Sequence, residues 1–567
     1  MAPSLKGSRP SRESVLTTGT RNAESLRASS RSESERDAEK EMGEGDPEKE
    51  KAKRSRDEDL EDEPGLNAVD REEEELYLEV ESGPSDESLE DKAFEVTWNG
   101  DSDPESPRQL SKLRKWIIVM VVATASLCVT CVSSMYTSTY NQITVEFGCS
   151  RIVATLGLSI YVVGLGIGPM ILSPLSEFFG RRWIYIYSFI FFTIWLIPCA
   201  VAQNIQTMLI SRFFDGLAGS AFLSVAGGTV GDLFAKHELG LPMMIYTASP
   251  FVGPEIGPLV GGFINTRTTW RWTFYSLIAW SGLELLMLIF LVPETYAPAL
   301  LRAKAARLRK ETGEQRWWAK GDIRKGSGGR AAAIGRAVAW SCMRPFQMLT
   351  LEVMCLNLCI LSAILLGILY LFFGAFVFVF REVYGFSLEQ TGITFLGIMV
   401  GMLIGISTDP FWRRNYQKLV KRHEAKTGIP GSSEPEFRLP PTIVGAWIVP
   451  FAMFGFAWTT FSSVHWMVPI MFSGFFGLGV ILTYTGVFTF LVDCYPLYGA
   501  SALAANSFAR SMFAAAFPLF GVQMYEKLGI HWASSLLAFL ALAMAPFPLV
   551  FYRYGKRLRG RSRFATS

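Results

Sequence analysis

Histidine is scarce in this chain: four in 567 residues, at His237, His423, His465 and His531, scattered near the ends of apolar runs. Eight cysteines occur, but no CxxC…CxxC or Cys/His set stands at metal-ligand spacing. A zinc centre of the usual kind is therefore excluded. Cys128, Cys131, Cys199, Cys355 and Cys359 lie inside apolar runs and read as small buried hydrophobes, with no disulfide framework. No GxxxxGK[ST] occurs, so no phosphate-cradling loop is available to drive work by ATP hydrolysis. Met1 is not followed by an apolar h-region, so no cleavable signal peptide is expected and the first apolar span serves as the insertion signal. These absences point away from an enzyme, from any metal or cofactor, and from a nucleic-acid partner.

What is present is oil, unevenly spread. Half the residues are apolar, with a mean hydropathy of +0.25. Residues 1–115 are the exception: they are polar and densely charged, and read as a disordered cytoplasmic tail. A bilayer core needs about 20 apolar residues per helix. From Trp116 onward twelve such runs follow, near 116–138, 152–173, 183–203, 207–231, 241–263, 272–292, 349–380, 389–408, 440–460, 465–490, 500–522 and 532–551. One set of connections carries Arg181, Arg182, Lys236, the linker 302–344 and the Arg413–Arg422 cluster, while the alternate set is nearly free of Lys and Arg. The positive-inside rule then puts both termini in the cytoplasm, as an even span number requires. The domains expected are a tail (1–115), a six-helix half (116–292), a basic cytoplasmic linker (293–348), a second six-helix half (349–551) and a basic cytoplasmic tail (552–567). The linker stretch "LLRAKAARLRKETGEQRWWAK" reads either as an amphipathic helix on the inner leaflet or as a solvated segment.

The halves look duplicated. "SPLSEFFGRR" (173–182) follows span two and "GISTDPFWRR" (405–414) follows span eight, with Glu177–Arg181 and Asp409–Arg413 at identical spacing, 232 residues apart. Repeated halves around a midplane site are a common plan of secondary transporters. Together with Arg182 and with Asp232 at the end of span four, these charges suit a latch that ties the cytoplasmic ends together in one state.

Span five contains "PFVGPEIGPLVGGF", an unusual density of helix breakers beside a carboxylate. Gly253, Gly257 and Gly261 recur every four residues with Pro254 and Pro258 alongside, and span eight carries Gly397, Gly401 and Gly405. Such stripes let helix backbones approach closely. Gly164 and Gly168 of span two and Ser507, Ser511 and Ala515 of span eleven form a second candidate pair. Glu255 lies about 200° around the helix from Gly253 and Gly257, free to face a cavity or a polar neighbour. Arg212 and Asp215 in span four sit three residues apart, on adjoining faces. Glu284 reads as lateral or interfacial, Glu352 as a partner of Arg344, and Asp493 as a boundary residue.

On these motifs the chain resembles the major facilitator superfamily, in particular its twelve-span drug:proton antiporters. "SPLSEFFGRR" resembles the loop motif after span two, departing from it at Ser173, Glu177 and Phe178. "LISRFFDGLAGS" resembles the fourth-span motif, and "GPEIGPLVGG" the fifth-span motif associated with antiporters. "VTWNGDSDPESPRQLSK", "WRWTFY" and "VDCYPLYGASALAANSFARSMFAAAFPLFG" are similar to the fungal multidrug and polyamine exporter branch. The resemblance covers roughly 94–564. It implies an all-α fold of twelve transmembrane helices in two halves, with Arg212 facing the central cavity and taking part in proton coupling beside Asp215 and Glu255. It also implies that spans one, four, seven and ten line the cavity, which offers Tyr136, Tyr140, Asn357, Tyr484 and Phe488 as substrate contacts. Asn506 and Arg510 of span eleven would stand in the cavity or at its rim. Spans five and eight are implied to meet across the halves, so their glycine stripes are expected to be mates and Gly257→Val to trap the transporter. The reading is a monomeric, proton-exchanging exporter of small organic compounds in the plasma membrane. The alternatives are a nutrient uptake carrier and a non-transporting sensor.

Overall fold

The computed structural model describes residues 94–98, 103–234, 238–314, 316–319, 329–428, 433–495, 498–560, 562 and 564. The disorder expected of residues 1–93 and 99–102, and the calls on Lys236, His237 and linker residues 315 and 320–328, lie outside the described residues. Ten helices among those described are long and apolar enough to cross a bilayer. One of them, Gly499–Arg559, is broken at Gly529, whose φ of 77° and ψ of 161° no helix adopts, so it holds two spans. The helix Gly240–Arg267 adds another: at 28 residues it has spanning length, and only its prolines, glycines and Glu255 keep it out of an apolar count. The twelve spans are thus Lys112–Met135, Arg151–Phe179, Arg181–Ala200, Ile205–Leu233, Gly240–Arg267, Trp270–Leu291, Val353–Tyr384, Leu388–Ser407, Pro440–Thr459, Met467–Cys494 and the two parts of Gly499–Met544. Ser111, Ser150, Asn204 and Ser387 start spans one, two, four and eight, each accepting a backbone N–H of the first turn.

The packing repeats with the sequence. Span one lies against five and six, two against four, and three against four and six. In the second half, seven lies against eleven (Gly367 on Phe517), eight against ten, and nine against ten and twelve (Phe454 on Phe539). Between halves, span five meets eight and span two meets eleven. Those two seams exchange when the halves are swapped, as a duplicated fold requires.

The glycine stripes are not mates, and this corrects the expectation. Cβ atoms at Gly253, Gly257 and Gly261 would strike Thr130, Ser134 and Ser138 of span one, inside the same half. Cβ atoms at Gly397, Gly401 and Gly405 would strike Ile470, Gly474 and Ile481 of span ten. Gly164 and Gly168 likewise face Phe213, Leu217 and Ser220 of span four rather than span eleven. Gly164/Gly397 and Gly168/Gly401 are each 233 residues apart, so the stripes of spans two and eight are copies of one within-half contact. The seams between halves use other residues. Gly262 faces Leu388 and Glu389, Gly392 faces Pro258 and Leu259, and Gly166 faces Ser511. Ser159 Oγ donates to the Ala515 carbonyl across the second seam (2.6 Å).

The described parts of both tails and of the linker are more docked than their composition suggested. The helix Ala297–Thr312 turns Leu301, Ala305 and Leu308 onto Val96, Ala319 and Trp317 rather than leaving them for lipid or water. Lys304 pairs with Asp103 (2.9 Å), Arg307 pairs with Glu105, and Arg302 donates to the Glu177 and Phe178 carbonyls. Residues 94–98 and 103–111 therefore belong to the folded unit, not to a tail ending at 115. The C-terminal helix Pro546–Arg559 likewise packs down. Arg559 is buried and grips Glu436 through two hydrogen bonds of 2.8 and 3.1 Å.

Candidate functional site

Span four carries the most buried ion pair among the described residues. Arg212 and Asp215 are both fully buried, with Nη1 and Oδ2 3.8 Å apart, an ion pair too long for a hydrogen bond. The guanidinium is held instead by the first half's own scaffold. Nη1 donates to the Val132 carbonyl (3.1 Å) and Nε to that of Gly157 (3.4 Å), from spans one and two. It is sandwiched between the rings of Tyr136 and Tyr161, at 4.5 and 4.3 Å from their centroids. Each tyrosine is fixed in turn, Tyr136 by donating to the Ala154 carbonyl and Tyr161 to that of Val129. Tyr136 thus serves as a wall for Arg212 rather than as a cavity lining. Both Asp215 oxygens lack a hydrogen bond.

A second layer lies where the halves meet. Ser133 of span one and the Tyr370 hydroxyl of span seven share a hydrogen bond of 3.1 Å, joining the halves. One turn apart on span five, Phe251 and Glu255 follow. Phe251 stacks on Tyr484 of span ten with centroids 4.9 Å apart and planes at 29°. The Arg510 guanidinium from span eleven stands 5.9, 5.5 and 5.4 Å from the rings of Phe251, Tyr484 and Phe488. Tyr484 donates to the Ser362 carbonyl, and Asn506 Nδ2 to the Ser362 hydroxyl. Glu255 is fully buried, and neither of its oxygens has a hydrogen-bond partner. A bare carboxylate in such a place is costly unless neutral or reached by water.

The remaining candidates divide. Tyr140 packs edge-on to Tyr136 and borders a water-sized void of about 10 Å³ with Asn141, Arg151, Phe373 and Leu388. Asn357 is half-buried and spends its amide on its own helix, at the Val353 carbonyl. Glu284 accepts from Trp280 and Thr124, bracing spans six and one. Glu352 accepts from Tyr495 and Ser562, and Asp493 pairs with Arg438 at 2.7 Å.

The two copies of the loop motif differ in geometry. Asp409 and Arg413 share the helix Asp409–Thr427 and pair at 2.7 Å. Glu177 and Arg181 do not share a helix, because Gly180 (φ 89°, ψ 164°) ends one span and starts the next. The i,i+4 expectation fails there for that reason. Arg181 instead pairs with Asp232 (3.5 Å), bonds the Ser176 hydroxyl and covers the Tyr296 ring at 4.5 Å. Burial pushes the Tyr296 phenol above its ordinary range; nearby Glu177 adds to the rise, and Arg181 and Arg302 oppose it.

Glu294 is the residue the motif reading missed. Its carboxylate accepts the N–H groups of Arg181, Arg182, Thr295 and Tyr296, capping span three from beyond span six. It also occupies the space a Cβ at position 180 would need. Arg182 donates to the Ile289 carbonyl beside it. Glu294→Ala is expected to cost about 1–2 kcal/mol, the upper part of the range for a lost helix cap, read as a lower unfolding temperature of the purified protein.

A family model described as Major Facilitator Superfamily matches residues 122–518. The chain belongs to this superfamily. This facilitator is 54% identical over 472 residues to efflux pump atB of Aspergillus terreus, spanning 83% of the chain and 90% of that relative. It is 41% identical over 476 residues to the probable drug/proton antiporter YHK8 of Saccharomyces cerevisiae, spanning 84% and 90%. A solved structure of the proton:xylose symporter XylE, bound to 6-bromo-6-deoxy-D-glucose, matches with a TM-score of 0.55 at 15% identity, covering 78% of this chain and 96% of that one. At that identity the likeness shows the fold alone.

Proposed function

We propose that this facilitator exports small organic compounds across the plasma membrane in exchange for protons, by alternating access. The basic connections and both termini face the cytoplasm, and the monomer is the working unit. Relatives named as an efflux pump and a drug/proton antiporter support export over uptake.

The observation that carries the reading is the inter-half layer. Glu255 lies unpartnered there, beside the contacts that must part when the halves rock, Ser133–Tyr370 and Phe251–Tyr484. A carboxylate so placed can exchange a proton with water only when one side of the protein opens to it, which is what proton exchange demands. Arg212 and Asp215 sit one shell behind and keep span four in register with this motion. Substrate enters between Tyr484, Phe488 and Arg510, where flat rings find stacking partners. A dedicated polyamine site would need paired carboxylates. Here Asp215 is turned to Arg212 and Glu284 to Trp280 and Thr124, so the supporting geometry favours a planar cargo.

The test is accumulation of a panel of planar dyes in inside-out vesicles with an acid lumen. Uptake is expected to collapse with a protonophore and to fall at least tenfold in Glu255→Gln. Accumulation that outlasts the gradient would sink proton exchange. A Glu255→Gln transporter with wild-type gradient dependence would remove Glu255 from it.

A further inference from the structure

We propose that the helix Asp409–Thr427 and the start of span five form a binding site for a phosphate-bearing anionic lipid at the mouth of the seam between the halves. The helix has no buried residue along its 19 positions. An amphipathic helix at a span end that buries none of its residues against the protein has lipid as its natural neighbour. Its charge is one-sided: Arg413, Arg414, Lys418, Lys421, Arg422 and Lys426 against Asp409 and Glu424. A run of this density directly beyond a span is the pattern that holds anionic headgroups.

The position fits the same ligand. Arg438 stands 3.9 Å over the Tyr416 ring and His423 packs edge-on to Phe437, which keeps the helix beside the start of span nine, where spans leave the hydrocarbon. Phe411 in its first turn is 64% exposed and Leu241 on span five is 51% exposed, an apolar rim for acyl chains. Between these two elements a cavity of about 340 Å³ is lined by Leu241, Met244, Asp409, Arg413, Arg414 and Gln417. It has apolar residues toward span five and guanidinium groups toward the helix, the two-part chemistry of a lipid headgroup with its glycerol end. Among the described residues Arg413 bonds Asp409, while its guanidinium lies against Gly240 of the other half. A phosphate would compete with Asp409 for Arg413 and bridge the two halves at this end.

The experiment measures lipid retained by the purified full-length protein after exchange in detergent micelles carrying radiolabelled phosphatidylserine or phosphatidylcholine. Phosphatidylserine is expected to be kept and phosphatidylcholine lost. Arg413→Gln/Arg414→Gln should lower phosphatidylserine retention about thirtyfold, from roughly a factor of five per basic side chain near an anionic surface. Equal retention of both lipids by the wild type would overturn the proposal without recourse to any variant. So would undiminished retention in the double variant, or in Lys418→Gln/Lys421→Gln should the first pair fail to fold. Release of the lipid by millimolar inorganic phosphate would assign the site to free phosphate and overturn the lipid.

Discussion

Arg212→Ala is expected to lose about 3–5 kcal/mol of stability, the usual cost of removing one partner from a buried ion pair, together with all gradient-driven export. The reason lies in what is left behind. Asp215 is fully buried, its oxygens accept no hydrogen bond, and the arginine 3.8 Å away is the cation paired with it. Tyr136 and Tyr161 would face each other across a gap the size of a guanidinium. The double variant Arg212→Ala/Asp215→Asn removes the stranded charge and should regain most of the lost stability, measured as thermal unfolding of the purified protein. Export separates two roles for the pair. If the double variant stays uncoupled in vesicles although it folds, the pair takes part in coupling. If stability and gradient-driven export return together, the pair does no more than hold span four in place.

Much of the architecture was legible in the sequence because lipid imposes it. Apolar runs of fixed length and alternating basic connections follow from the solvent rather than from tertiary detail. The repeat at 177–182 and 409–414 exposed the duplication for the same reason: charges at span ends are positioned by the bilayer. Azimuth was not legible. Gly257 and Gly401 share their spacing with residues that do cross the seam, yet both are turned into their own halves. A stripe with a period of four states that something comes close, but not which neighbour does. The pair Glu177–Arg181 shows another limit. Its spacing matches a helix turn, and one glycine at φ 89° removes the helix. Phe251 and Tyr370, which carry the contact between halves in the central layer, gave no sign in an apolar run, because a ring facing lipid and a ring facing the other half are written alike. Glu294 was missed because Arg181 and Arg182, whose N–H groups it caps, lie more than a hundred residues upstream.

The same distinction of azimuth separates two glycine substitutions that would otherwise be treated alike. A Cβ at Gly392 would come within 2.6 Å of the Pro258 carbonyl oxygen and 3.1 Å of Leu259 Cα, across the seam between spans eight and five. Rocking the halves apart at the end bearing residues 267 and 388 relieves that clash. Gly392→Val is therefore expected to fold and to shift the population toward the state open at that end. With overpacking worth about 1–3 kcal/mol, the shift is roughly 5- to 150-fold. A cysteine at Thr137, which is buried and borders the void at that end, should become more reactive to an impermeant maleimide in a Cys149→Ser background. A Cβ at Gly401 would press on the Gly474 backbone instead, with its carbonyl carbon at 2.6 Å and Cα at 2.9 Å. Spans eight and ten belong to one half and move together, so no rocking relieves the contact. Gly401→Val is expected to fail at folding, seen as loss of monodisperse protein. Gly257→Val belongs with it, since its Cβ would meet Ser134 and, at 2.8 Å, the Met135 nitrogen within the first half. Unchanged labelling in Gly392→Val, or a normally folded Gly401→Val, would mean that the seam and the scaffold have been assigned to the wrong glycines.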